Sequence, residues 1–149
     1  MYIEEIIRID GISKILGLTR FPDSSIISEC LQCLSYVLVF LNGVEYLRQR
    51  PQLFIKLFEL VNHASVDVKK QVLGIFIGLC KCMNGSFICI NKAAINVARR
   101  DKISPYATLL NALGIQDNEL RVNILTLLNW MIVKCPSEKK LCRFLARME

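Results

Sequence analysis

The sequence predicts an all-α protein made of repeated helical units stacked side by side. Three observations predict it. Hydrophobic residues make up 53% of the 149 residues, while Gly and Pro number only 7 and 4. That composition suits helices packed on helices better than a turn-rich β fold. Apolar residues recur at helical spacing, three and four apart, in segment after segment. The segments themselves recur, because one apolar pattern returns at an offset of 42 residues and again at a further 52.

Taken in order, Met1–Arg8 is a short amphipathic piece. Gly11–Arg20 carries Ile12, Ile15, Leu16 and Leu18 at helical spacing. Phe21-Pro-Asp-Ser-Ser25 is a break, in which Pro22 stops one helix and Asp23, Ser24 or Ser25 can cap the next. Ile26–Leu41 then reads as a long helix ended by Asn42-Gly43, a helix-stop pair. Val44–Arg48 is short, and Pro51 starts Gln52–Val61, with Leu53, Leu57, Phe58 and Leu60 inward. After the loop Asn62–Ser65, the long helix Val66–Met83 ends at Asn84-Gly85. Ser86–Arg99 opens a third unit. Pro105 introduces Tyr106–Leu113, Gly114 closes it, and Asp117 or Asn118 caps the long helix Glu119–Lys134. Pro136 ends that helix, and Ser137 caps a last segment with Leu141, Phe144 and Leu145 on one face.

The repeat can be followed residue by residue. At an offset of 42, Leu16 meets Phe58, Ile26 meets Val68, Leu31 meets Leu73, and Leu34 meets Phe76. At a further 52, Val68 meets Leu120, Leu73 meets Leu125, and Leu79 meets Met131. The ten additional residues fit the longer opening helix of the third unit. A period of roughly 40–47 residues with two or three helices marks armadillo or HEAT repeats, and the short–medium–long order within each unit favours armadillo. The expectation is one domain over residues 1–149, a right-handed armadillo-type superhelix of three three-helix repeats plus a partial fourth. Its units cover about 2–42, 43–85, 86–136 and 137–149, and the chain reads as a fragment of a longer protein.

Several function classes find no support in the residues. No apolar run approaches the roughly 18–20 residues of a membrane span, and the acidic start Met-Tyr-Ile-Glu-Glu-Ile is unlike a signal peptide. A cytoplasmic protein is expected. The net charge of +6 is scattered, without a stripe of Arg and aromatic residues, so nucleic acid is not an expected partner. The seven cysteines include Cys30-x-x-Cys33 and Cys80-x-Cys82, both mid-helix by pattern, with one histidine, His63, in a loop. They read as free thiols, not as a zinc site or disulfide framework. No Gly-rich phosphate loop, HExxH or GxSxG occurs, so neither an enzyme nor a cofactor is expected.

Superposing the three long helices separates core from surface. Leu120, Ile124, Leu125, Leu128 and Met131 fall on the core side of the third. The leftover stripe holds Ser28, Gln32, Ser35, Tyr36 and Val39 in unit one, and Lys70, Gly74, Ile77, Gly78 and Lys81 in unit two. Unit three contributes Val122, Thr126, Asn129, Trp130 and Val133. These positions lie on one side of a helix. The expected site is a shallow peptide-binding groove holding Tyr36, Val39, Gly74, Ile77, Thr126, Asn129, Trp130 and Val133, rimmed by Lys70, Lys81 and Lys134. Gly74 and Gly78 remove side chains where another helix could approach. An apolar strip with a basic rim suits an amphipathic helix with acidic flanks.

The order of Glu29-Cys-Leu-Gln-Cys-Leu34, Asn42-Gly43, Leu79-Cys80 and Leu120-Arg-Val-Asn-Ile-Leu-Thr-Leu-Leu-Asn129 resembles the armadillo region of formins. That region is the formin homology 3 part of the diaphanous inhibitory domain, and Tyr2–Leu16 is similar to the start of its first unit. The resemblance implies a cytoplasmic, cytoskeleton-associated regulatory module. It implies that the groove binds a C-terminal autoregulatory helix of the same protein. It also implies that a Rho-family GTPase releases that helix, so that actin assembly is controlled indirectly. Residues 129–133 would then contact the helix. Two positions depart from the family's pattern: Val39-Phe-Leu-Asn42 replaces an Asn/Lys-rich segment, and Trp130 stands where a smaller residue is usual. A generic armadillo scaffold for peptides in another cytoskeletal or signalling protein is the alternative.

Overall fold

Four side-chain caps set where the helices of this chain begin. In the computed structural model, which describes residues 2–148, the Asp23 carboxylate accepts from the Ser25 amide at 2.8 Å and Ser65 Oγ from the Val68 amide at 3.5 Å. Asp117 accepts from the Leu120 amide at 2.7 Å and Ser137 Oγ from the Lys140 amide at 3.4 Å. Each satisfies an amide that the first helical turn leaves without a partner. The first three caps start the long helices, and they stand at the sequence offsets of 42 and 52.

Ten α-helices and one 3-10 turn form the described residues, an all-α, armadillo-like solenoid. They are α1 (Tyr2–Arg8), α2 (Gly11–Leu18), α3 (Ser24–Val37), α4 (Leu41–Arg48), α5 (Pro51–Glu59) with the 3-10 turn Leu60–Asn62, and α6 (Val66–Cys82). Then come α7 (Ser86–Asp101), α8 (Ala107–Ala112), α9 (Asn118–Val133) and α10 (Glu138–Leu145). The long helices stack in the order α3, α6, α9, with α6 packed against both others. The second helices stack behind them, α5 against α2 and the 3-10 turn against α8, while α7 lies along α5. No single helix here is long and apolar enough to cross a membrane.

The core runs between these layers. Leu31, Leu34, Val72, Leu73, Phe76, Leu79, Ile124 and Met131 come from the long helices, and Leu53, Phe54, Leu57 and Phe58 from α5. An aromatic chain closes the far end. Tyr106 lies edge-on to Phe58 and Phe144, with centroids 6.4 and 5.0 Å away, and Phe144 lies edge-on to Phe87. Phe144 thereby fastens α10 to the third unit. Tyr106 is buried with its backbone left-handed, at φ 68°, and its hydroxyl donates to Asn91 Oδ1 at 2.9 Å. Because of that conformation α8 starts at Ala107, one residue later than the expected Tyr106.

Two sequence expectations need correction. The long helix expected over Ile26–Leu41 runs from Ser24 and ends at Val37, and Asn42-Gly43 is not a stop but part of the first turn of α4. Gly43 is buried there, and a Cβ on it would overlap the Val37 carbonyl oxygen. The glycine serves a close crossing of α4 over the end of α3, not a left-handed cap. Gly85, at φ 79°, is the left-handed break between α6 and α7.

Burial also departs from the expectation at two repeat-matched positions. Leu125, placed in the core from its match to Leu73, is 57% exposed, and Ile26, the match of Val68, is 41% exposed. Val68 and Leu73 are both buried to about 1% or less. The register holds, but only α6 has a long helix on each flank. Ile26 lies on the flank of α3 away from α6, and Leu125 on the flank of α9 away from α6. Leu127 is buried instead.

Candidate functional site

The exposed strip of α6 is narrow, because both flanks of this helix are covered. Gly74 and Gly78, one turn apart, occupy its middle, and a Cβ built on either meets nothing within 4 Å. The equivalent positions are Gln32 and Tyr36 on α3 and Thr126 and Trp130 on α9. The central rung of the ladder therefore lacks the side chains that its neighbours carry at the same height. Between α3 and α6 this leaves a groove of about 410 Å³ lined by Leu31, Gln32, Ser35, Leu38, Val39, Gln71, Gly74, Ile75, Gly78, Leu79 and Cys82.

Of the eleven residues expected to form the site and its rim, Val39 and Gly74 line this groove. Tyr36 is 70% exposed beside it on α3, with its side chain outside the lining. Ile77, Lys70 and Lys81 sit on the flank of α6 turned toward α9, and Ile77 is partly buried against the core. Thr126, Asn129, Trp130 and Val133 are on α9, where Asn129 and Val133 are exposed and Thr126 half-buried. Trp130 is half-buried too, with Lys134 Nζ 5.8 Å from its ring centroid, a cation–π contact. The expected single strip is thus a groove on one side of α6 and a second exposed surface on the other.

Sequence reasoning missed Gln71, Leu38 and Cys82, the last an exposed thiol. The two glycines held the signal. Stepping three residues back from Gly74 gives Gln71, and four forward from Gly78 gives Cys82, the same helical face. The expected stripe lies about one residue to the α9 side of this groove. Gln71 is anchored from below, since its Nε2 donates to Ser28 Oγ at 2.7 Å.

The rim also differs from the expected one. Lys70 is not free, because its Nζ lies 3.0 Å from Glu119, 3.3 Å from Asp67 and 3.6 Å from Asp117. The hydrogen bonds that the ammonium donates to Glu119 and then to Asp67 hold its pKa well above the ordinary value. Three carboxylates around one lysine make this end of the surface acidic. It is the end of the helix N-termini, where acids oppose the dipole. Lys81 and Lys134 stand at the opposite end, without an ion pair among the described residues.

All seven cysteines are free. Burial raises the thiol pKa of Cys30 and Cys80, which behave as small apolar core residues. Cys33, Cys82 and Cys142 are exposed.

An armadillo-like helical solenoid with an open groove across its long helices is the architecture of a module that holds another polypeptide. The family model for the FH3 domain of FHOD1/3 matches residues 25–149, and the chain belongs to this formin FH3 family. It is similar to Formin-C of Dictyostelium discoideum, 29% identical over 150 residues. It is also similar to Formin-G of the same organism, 26% identical over 140 residues. These alignments cover 99% and 93% of this chain and 13% of each relative. The chain thus corresponds to about an eighth of those formins.

Proposed function

We propose that this FH3 chain is the regulatory, helix-binding module of a formin. The groove between α3 and α6 takes an amphipathic autoregulatory helix from the C-terminal part of the same protein. While bound, that helix keeps the actin-assembling half inactive, and a Rho-family GTPase acting on the module releases it. Actin is thereby reached only through the full-length protein, in the cytoplasm and at the cytoskeleton. The observation that carries this reading is the glycine pair Gly74 and Gly78, which opens a mostly apolar groove where both neighbouring helices carry side chains. A helix laid over glycine can approach its neighbour's backbone closely, which lengthens the contact of both.

The charge layout supports one polarity for the ligand. Its basic end lies toward Asp67, in the first turn of α6, and its acidic end toward Lys81, in the last turn of the same helix. Isothermal titration with C-terminal helices of the parent formin tests the reading. Gly78→Gln is expected to weaken binding at least tenfold, and Lys81→Glu to weaken a helix with an acidic end. If Gly78→Gln leaves the affinity unchanged while Trp130→Asp and Val133→Asp abolish it, the ligand lies between α6 and α9 instead. If none of the three changes it, the groove assignment fails.

A further inference from the structure

Lys69 is the one buried charged residue among those described, at 8% exposure. It sits on the face of α6 away from the groove. Its Nζ donates to the Val61 carbonyl at 2.8 Å, capping the 3-10 turn, and no carboxylate lies within ion-pair distance among the described residues. An ammonium carries three donors, so two N–H groups and a full charge remain uncompensated. Burial alone accounts for the lowering of its pKa. A buried, unpaired cation is unfavourable in isolation and favours an anion that can reach it.

Lys69 borders a recess of about 370 Å³ that is also lined by Asn62, Thr108 and Asn111. None of those three side chains makes a hydrogen bond among the described residues. Asn62 also borders a second cleft, of about 410 Å³, lined by Arg20, Lys56, His63 and Glu59. Glu59 is already neutralised there by Arg100. Arg20 and Lys56 have no acidic partner among the described residues. His63 Nδ1 accepts from the Ser65 amide at 3.1 Å, so the neutral ring carries its proton on Nε2 and presents a donor. The two hollows flank the 3-10 turn, and Asn62 joins them.

We infer that the surface around Leu60–Asn62 is a docking site for an acidic peptide segment bearing a phosphoryl group. The phosphoryl group enters the Lys69 recess, and the flanking residues run along the Arg20–Lys56–His63 cleft. A carboxylate offers two oxygens and one charge. A phosphoryl group offers three oxygens and close to two charges, a better match to Lys69 and to the uncommitted donors of Asn62, Thr108 and Asn111 around it. A peptide fits better than a bilayer surface, because the central cation is recessed and a flat sheet of headgroups cannot follow it in. The site is separate from the groove and does not depend on what the groove binds.

The test is titration of the 149-residue chain with a seven-residue peptide carrying a central phosphoserine between glutamates. Its unphosphorylated form, inorganic phosphate, and vesicles with and without a phosphoinositide are the other arms. The phosphopeptide is expected to bind at least about tenfold more tightly than the unphosphorylated form. Lys69→Met, which keeps the side-chain volume, and Thr108→Val are each expected to remove that advantage. Arg20→Gln with Lys56→Gln is expected to weaken both peptides and flatten the salt dependence. Thermal unfolding confirms that each variant is folded, and the Arg20 and Lys56 changes carry the test if Lys69→Met does not fold. Equal affinity for the two peptides, an undiminished preference in every folded variant, or binding to phosphoinositide vesicles alone overturns the inference.

Discussion

Gly74 and Gly78 lie in the interior of a 17-residue helix, where glycine is a poor choice. Replacing one by Ala in an exposed helix interior stabilises by about 0.8–1 kcal/mol. Nothing offsets that gain here, since a Cβ at either position meets no atom within 4 Å and both sites are exposed. The double variant Gly74→Ala/Gly78→Ala should therefore gain about 2 kcal/mol. For a chain of this size that raises Tm by roughly 4–8 °C. The groove floor rises by two methyl groups at the place where a helical ligand would come closest, so affinity should fall while stability rises. Calorimetry and titration on the same preparations read both quantities. An unchanged or lower Tm would refute the packing argument. A higher Tm with undiminished binding would refute the claim that the groove needs its glycines.

Other expectations follow from single contacts. Phe144→Ala should destabilise by about 3–5 kcal/mol in chemical denaturation and make α10 protease-sensitive, because Phe144 is fully buried against Phe87 and Tyr106. Gly43→Ala should also destabilise, through overlap with the Val37 carbonyl, by about 1–3 kcal/mol. Asp117 is held below the usual carboxylate range, first by the Leu120 amide and then by Lys70. Its contribution is complete above the unfolded value, near 3.9, and is lost as pH falls through the depressed folded one. Asp117→Asn keeps a good cap but not the charge, so its Tm should fall less steeply between roughly pH 5 and pH 2. A thiol reagent should label Cys33, Cys82 and Cys142 quickly, and Cys30 and Cys80 only on unfolding. A helix bound in the groove should protect Cys82 and leave Cys142 reactive.

The fold was legible because local signals and the repeat agreed. Asp23, Ser65, Asp117 and Ser137 announce their helices by residue type, and offsets of 42 and 52 hold through the caps and the core. What the sequence concealed depends on neighbours. Leu73 and Leu125 are the same residue at equivalent positions, yet one is buried by the next long helix and the other faces outward. Asn42-Gly43 and Asn84-Gly85 are the same dipeptide, yet only the second turns left-handed, since Gly43 answers to a backbone crossing that composition does not encode. The site was half legible. Two glycines one turn apart mark the face, but its azimuth is set by the way α3 and α9 divide the flanks of α6. Lys70 looked like a binding cation for the same reason, because its partners Asp117 and Glu119 lie about fifty residues along the chain.

These cases share a cause that bears on function. In a solenoid a unit contacts only its neighbours, so a middle helix is buried on two flanks and keeps one narrow strip for other use. In α6 that strip carries two glycines, against Gln32 and Tyr36 before them and Thr126 and Trp130 after. Stability alone would favour any good helix former at both positions, and the open space around them would admit one. The acids that could have lined the strip's N-terminal end instead hold Lys70 between α6 and α9, which ties the two helices together beside the groove. The groove is therefore an absence of side chains between rigid, capped helices, a form that can receive a helix without reorganising first.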